Sequence, residues 1–204
     1  MASYYYYLVA QLPGLIFGQP TMPMSPKAFK ELAKPQLGAR DAALFDMVSL
    51  DPQPLPALAA ALGYTEKIRA SGSAFIDGWR EWEWALRLNL AKQRAIKTKR
   101  DYAVAVEPPV TPSEVAALAQ RAIAVESPLE GELFLDRARW DAIEALQGND
   151  FFDRNTVFAY MLKLLILQRH ALFQIETGFS EYKSLYASIL ESAESGTSRA
   201  GESK

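Results

Sequence analysis

The chain has 204 residues, half of them hydrophobic and 23% charged, and it carries a formal net charge of −2. That length fits one core-forming domain or two small ones, and so balanced a charge excludes the global basicity of a nucleic-acid coat protein. Cysteine is absent and His170 is the single histidine, which excludes disulfides, thiolate zinc sites, iron–sulfur clusters, a cysteine nucleophile and any zinc site needing two imidazoles.

Residues 1–10 lack a basic leader, and a tyrosine run makes a poor apolar segment, so no signal peptide is expected. Residues 4–9 fit either a strand or the first turns of a buried helix. Four prolines and two glycines between Leu12 and Pro26 predict an irregular connection. Its apolar side chains (Leu15, Ile16, Phe17, Met22, Met24) predict that it lies packed on the protein. Ser25-Pro26 supplies an N-cap and a proline at the first helical position, predicting a helix to about Ala33 that Pro35 stops. Short helices follow over 39–49, with Ala43, Leu44 and Met47 at helical spacing, and over 58–62, closed by Gly63.

Residues 71–101 read as one long helix with apolar side chains on two opposite faces. At about 100° per residue, Phe75, Trp79, Trp82, Leu86 and Gln93 gather on one side, and Trp84, Leu88, Ala91 and Ala95 on the other. A helix apolar on two sides is sandwiched between layers or lends one side to a partner. The expectation is that the Trp84 flank stays at least partly uncovered.

Pro108-Pro109 ends whatever trails this helix. Thr111-Pro112-Ser113-Glu114 and Ser127-Pro128-Leu129-Glu130 are capping boxes with proline at the first helical position, the strongest local signals in the chain. They predict helices over 112–125 and 128–146, the second closed by Gly148. Asp153 caps a helix to about Thr177, and a last helix over 180–194 precedes a polar tail, 195–204, expected to be disordered. The most apolar run, 157–167, is about half the roughly twenty residues of a bilayer span and includes Lys163. A soluble chain is expected, with membrane contact only through partners. The predicted fold is all-α: an irregular bundle of seven or eight helices forming one domain over 1–194. Short helices fill 1–70, and the long-helix core of 71–194 is built on 71–101 and 153–177.

Few constellations carry chemistry. Arg87, Lys92, Arg94, Lys97, Lys99 and Arg100 make the long helix basic toward its C-terminus, but the wheel splits them around the Leu88/Ala91/Ala95 strip. A solvated seam, an interface to an acidic protein, and a nucleic-acid or lipid footprint all remain open. Glu83 and Arg87 are an i,i+4 pair; buried between helices, it would need completion by Glu132 or Arg139 and would act as a registry device. His170 shares a polar strip with Lys163 and Gln174 and is expected at the rim. Asp136, Asp141 and Glu144 are the only carboxylates that suggest acid–base work, and Gly131, Gly148 and Gly178 form no phosphate-cradling loop. No catalytic, cofactor-binding or metal-binding residue is assigned, and no small-molecule substrate is expected. Trp84, Arg87, Leu88, Lys92 and Arg94 are the candidate partner contacts, with Trp84 as the aromatic anchor.

Three segments are familiar together. Tyr5-Tyr6-Tyr7-Leu8-Val9-Ala10-Gln11-Leu12-Pro13, Trp82-Glu83-Trp84-Ala85-Leu86-Arg87-Leu88-Asn89-Leu90 and Glu132-Leu133-Phe134-Leu135-Asp136-Arg137-Ala138-Arg139-Trp140-Asp141 resemble an uncharacterised bacterial family encoded within V-type ATPase operons. Phe151-Phe152 and the helix from Tyr160 to Ile175 extend the likeness, which spans residues 4–190. The family is similar in helical character to the central-stalk C subunit (d in eukaryotes), although that subunit is longer and three-fold repeated. The resemblance implies a non-catalytic cytoplasmic part linking the rotary stalk to the membrane ring, with V-type ATPase subunits as partners. It defines no functional residue. The rival expectation is a stand-alone helical adaptor that binds an acidic protein or nucleic acid through residues 87–100.

Overall fold

The computed structural model describes residues 4–51, 71–99 and 113–173. The expected helices over 58–62 and 180–194, the cap at Thr111-Pro112, the end at Thr177 and the tail lie outside the described residues. Within them the protein is all-α. Seven α-helices follow in order: α1 Tyr6–Ala10, α2 Pro26–Ala33, α3 Ala39–Phe45, α4 Ala74–Lys97, α5 Ser113–Ala124, α6 Pro128–Gln147 and α7 Arg154–Phe173. Among the described residues the only extended pairing is a single bridge between Tyr4 and Asp153. Two compact units are present, residues 1–168 and 169–204, and only Arg169–Phe173 of the second is described.

The cap signals place the helix starts. The Ser25 hydroxyl accepts from the Ala28 N–H at 3.1 Å, Ser127 from Glu130 N–H at 3.4 Å, and the Asp153 carboxylate from Thr156 N–H at 3.0 Å. Each satisfies a donor that has no partner inside its helix. Gly148, with φ of 74°, closes α6, a left-handed backbone that favours glycine. The N-terminal ambiguity resolves as a mixture, with one bridge at Tyr4 followed by the one-turn helix α1.

Two boundaries fall short of expectation. α3 stops at Phe45 rather than Ser49, because Met47 N–H and Val48 N–H bond three residues back and tighten the chain into turns. α4 runs 74–97 rather than 71–101. Ser73 caps its start, and at its end the Thr98 hydroxyl turns back to Arg94 O at 2.9 Å while Lys99 takes φ of 51°.

α7 is the centre of the larger apolar cluster. Its Val157, Phe158, Leu162 and Leu164 are wholly buried, and rings from elsewhere converge on it. Phe45 and Phe75 each lie 6.2 Å from Phe158, and Phe29 lies 4.7 Å from Tyr160. The irregular connection lies against this cluster through Leu12, Leu15, Phe17, Met22 and Met24 as expected, although Ile16 faces solvent. Tyr160 Oη donates to Pro13 O at 3.0 Å, and burial pushes that phenol up to about 12. By length and composition the 20 residues of α7 are enough to cross a bilayer, a longer apolar run than the sequence suggested. More than half of its apolar window is buried inside the protein, so its role as the central core helix accounts for that composition.

The second cluster is smaller. Ala85, Leu86 and Leu90 of α4 meet Val115, Ala119 and Ala122 of α5 and Leu135 of α6, with Trp82 touching both clusters. Close approaches and pairings fix the helix directions. A Cβ added at Gly78 of α4 would lie 2.8 Å from Leu146 of α6, while farther along α4 Glu83 meets Arg139, so the two helices run antiparallel.

Phe158→Ala should lower unfolding free energy by about 3–5 kcal/mol, the range for a deleted buried phenyl ring. Ile16→Ala should change it by under about 0.5 kcal/mol. Urea melts followed by circular dichroism check both, and equal losses would contradict the placement of α7 at the core.

Candidate functional site

Where α4 crosses α6 four charged side chains meet. Helical spacing puts Glu83 and Arg87 on one stripe of α4, and Asp136 and Arg139 on one stripe of α6. The antiparallel crossing then aims the Arg139 guanidinium at Glu83. Arg139 Nε and Nη2 donate to the two Glu83 carboxylate oxygens at 3.1 and 3.2 Å, and Nη1 donates to Asp136 at 2.8 Å. Arg87 Nε donates to Glu83 at 2.8 Å, and its Nη2 reaches Leu50 O at 3.4 Å. Asp136 is completely buried, and Glu83 and Arg139 nearly so. Arg139 thus completes the Glu83–Arg87 pair as a registry device would require. Glu132, the other residue considered, forms no ion pair among the described residues.

The cluster is formally neutral, with two carboxylates and two guanidiniums. Neutrality and paired donors are what allow it to be buried, since an isolated charge there would cost several kcal/mol. Its flat, forked bonds also tie one turn of α4 to one turn of α6. A slide of either helix by one turn would break both Glu83–Arg139 bonds and leave these two buried groups short of partners, while the pairs within each helix persist.

The five expected partner contacts on α4 part company. Trp84 is only 9% exposed and its buried indole N–H has no acceptor among the described residues, so the anchor expected on an open flank lies inside the protein. Leu88 is half-buried. Arg87 is turned to Glu83 and Leu50 rather than outward. Of the five, only Lys92 and Arg94 stand exposed, beside Ala91 and a 60% exposed Ile96. Lys97 leans across to Ile123 O at 2.9 Å, and Arg100 lies outside the described residues. The second apolar flank is therefore closed at its tryptophan and opens from Ala91 onward. The wheel gave the direction of each side chain but not what lay over it.

The three carboxylates with acid–base spacing are each held by a cation. Asp136 binds Arg139, Asp141 binds Arg137 at 3.0 Å, and Glu144 binds Lys163 at 3.0 Å. For Glu144, burial works to raise the carboxyl, but hydrogen bonds from Lys163 and Trp140 and the charge of Arg137 outweigh it and hold it below the usual range. Lys163 also lies 5.1 Å over the Trp140 ring, so the polar strip of α7 packs against α6. A second correction concerns His170, which is buried rather than at the rim. Burial, reinforced by the charge of Arg169, pushes its imidazole below the ordinary value.

Two features were not anticipated. Asp41 is buried, accepting from Tyr5 Oη at 2.6 Å and Arg154 Nη1 at 3.2 Å, a pairing across 113 residues with no local signal. Tyr4, Tyr6 and Phe152 form a surface stack for which the tyrosine run and Phe151-Phe152 were the only hints. No family model, curated protein or solved structure matches this chain.

In a double-mutant cycle, Glu83 with Arg139 should couple by about 2–3 kcal/mol, and Glu83 with the more exposed Arg87 by about 1 kcal/mol or less. Chemical denaturation of the four proteins gives both values. Coupling of Glu83 with Arg139 below about 0.5 kcal/mol would remove the registry role. For His170, a folded pKa below the unfolded one means the unfolded chain binds more protons. Its stabilising contribution is complete above the ordinary imidazole value and is lost as pH falls below it. The wild type should therefore lose more stability than His170→Gln between about pH 7 and 5; parallel pH profiles of the melting temperature would contradict this.

Proposed function

We propose that this protein is a non-catalytic accessory or central-stalk C-like subunit of a V-type ATPase, cytoplasmic and reaching the membrane only through its partners. The reading rests on the family resemblance of the three sequence segments and on one structural observation. α4 is a rod of 24 residues, about 36 Å long at helical rise, whose first half is locked into the body. Its last turns present Lys92, Arg94 and Ile96 to solvent.

A coupling part needs a stiff lever whose root is fixed and whose tip is available. The buried charge cluster fixes the root, because bending α4 away from α6 there would break the two Glu83–Arg139 bonds. The tip combines cations with an exposed apolar side chain, the composition of an interface rim rather than a groove-tracking stripe. Arg87, paired with Glu83, weakens the adaptor reading, since it subtracts from the cations a nucleic acid would need. The paired state of Asp136, Asp141 and Glu144 supports a structural rather than a catalytic part.

Affinity-tagged chain expressed in its own cell should co-purify from membranes with stalk and ring subunits of the ATPase. Lys92→Glu with Arg94→Glu should weaken that association at least about tenfold with an unchanged melting temperature. An intact, active complex that lacks the chain would end the proposal.

A further inference from the structure

The run of tyrosines at the start of the chain is sorted by the structure into one inward and several outward rings. Tyr5 turns in and is held by Asp41, and its N–H donates to Phe152 O at 2.7 Å. Tyr4 pairs as a bridge with Asp153. Those two anchorages hold the neighbouring rings in place at the turn between α6 and α7. Tyr4 and Tyr6 stack with centroids 5.6 Å apart and planes 15° off parallel, and Tyr6 lies 4.9 Å from Phe152. All three are exposed, Tyr6 by 58%, and Phe151 stands exposed beside them.

The rim of this stack is acidic. Asp150 accepts the Phe152 N–H at 3.2 Å, and Asp153 sits across the bridge from Tyr4. The Asp150 charge pushes the Tyr4 phenol up, as a negative local potential must. Asp153 is also raised, first by burial and further by Asp150. Arg154, the nearest cation in sequence, is committed to Asp41. The basic tip of α4 lies at the other end of α6, because the two helices run antiparallel, so it cannot neutralise this patch within the molecule.

We propose that the Tyr4–Tyr6–Phe152 stack, with Asp150 and Asp153 at its edge, docks a lysine- or arginine-bearing segment of a protein partner. Stacked electron-rich faces attract a guanidinium or ammonium, and carboxylates at the rim reinforce the same sign of charge. A single-stranded nucleic acid also stacks on aromatic platforms, but its phosphates would be repelled by these aspartates. The rings are held by backbone bonds, so little ordering cost is added on binding. The inference stands apart from the ATPase reading, which concerns the opposite end of α6.

The test is a fluorescence-anisotropy titration of the full chain with a labelled peptide of alternating arginine and alanine, at low ionic strength. Saturable binding is expected, weakening as salt rises, with no binding of the glutamate counterpart. Tyr6→Ala and Asp150→Asn should each weaken it about threefold or more, with melting temperatures unchanged. Asp150→Asn keeps the acceptor for Phe152 N–H and removes only charge. Tyr7→Ala, exposed but outside the stack, should bind like the wild type. No saturable binding, or equal binding by all three variants, would overturn the proposal. So would self-association of the chain alone that Asp150→Asn abolishes, since the patch would then belong to a second copy.

Discussion

Arg139, held by two carboxylates in a nearly water-free crossing, is the constraint around which the described architecture is organised. A guanidinium offers several donors in a fixed plane, so it can bind Glu83 with one edge and Asp136 with another only when both helices are in one register. Apolar packing adds its own register mark at Gly78, where a Cβ would lie 2.8 Å from Leu146. The charged crossing adds directional bonds that leucine, alanine and tryptophan faces do not supply. The apolar clusters supply the bulk of the driving force, and the charges select which packing is adopted.

The position of the crossing matters as much as its strength. It lies where α4 passes from the larger cluster around α7 to the smaller cluster around α5, with Trp82 packed against both. One helix is thus shared by two apolar bodies and fastened at their boundary. Beyond Leu90 no buried ion pair holds it among the described residues, and most of the side chains are exposed. The polarity of the rod, rooted at one end and presented at the other, is a consequence of where the ion cluster sits.

Local signals read well from sequence because their physics is local. Ser25-Pro26 and Ser127-Pro128 marked helix starts to the residue, and Gly148 marked a stop, since caps depend on neighbours within one turn. The Glu83–Arg87 spacing, and Arg139 as a candidate third member, were also legible. Asp136 was grouped with Asp141 and Glu144 for possible acid–base spacing, although its i,i+3 relation to Arg139 was available. What the sequence could not reveal were tertiary covers. Trp84 was expected on a partly open flank and His170 at the rim, and both are buried, because a wheel carries no information about what packs over a side. The Asp41–Arg154 pair and the aromatic stack at Tyr6 and Phe152 depend on elements distant in the chain meeting, and no periodicity encodes that.

The account makes the two clusters one cooperative body fastened at the crossing, and native-state hydrogen exchange tests that most directly. Amides of α4, α6 and α7 beside the crossing should share a single opening free energy equal to that of global unfolding. Replacing Arg139 with methionine should split them, so that amides near Leu86 and Leu135 exchange at lower denaturant than those around Phe158. If the wild type already shows two separate openings, or the methionine variant shows none, the ion cluster does not unite the fold.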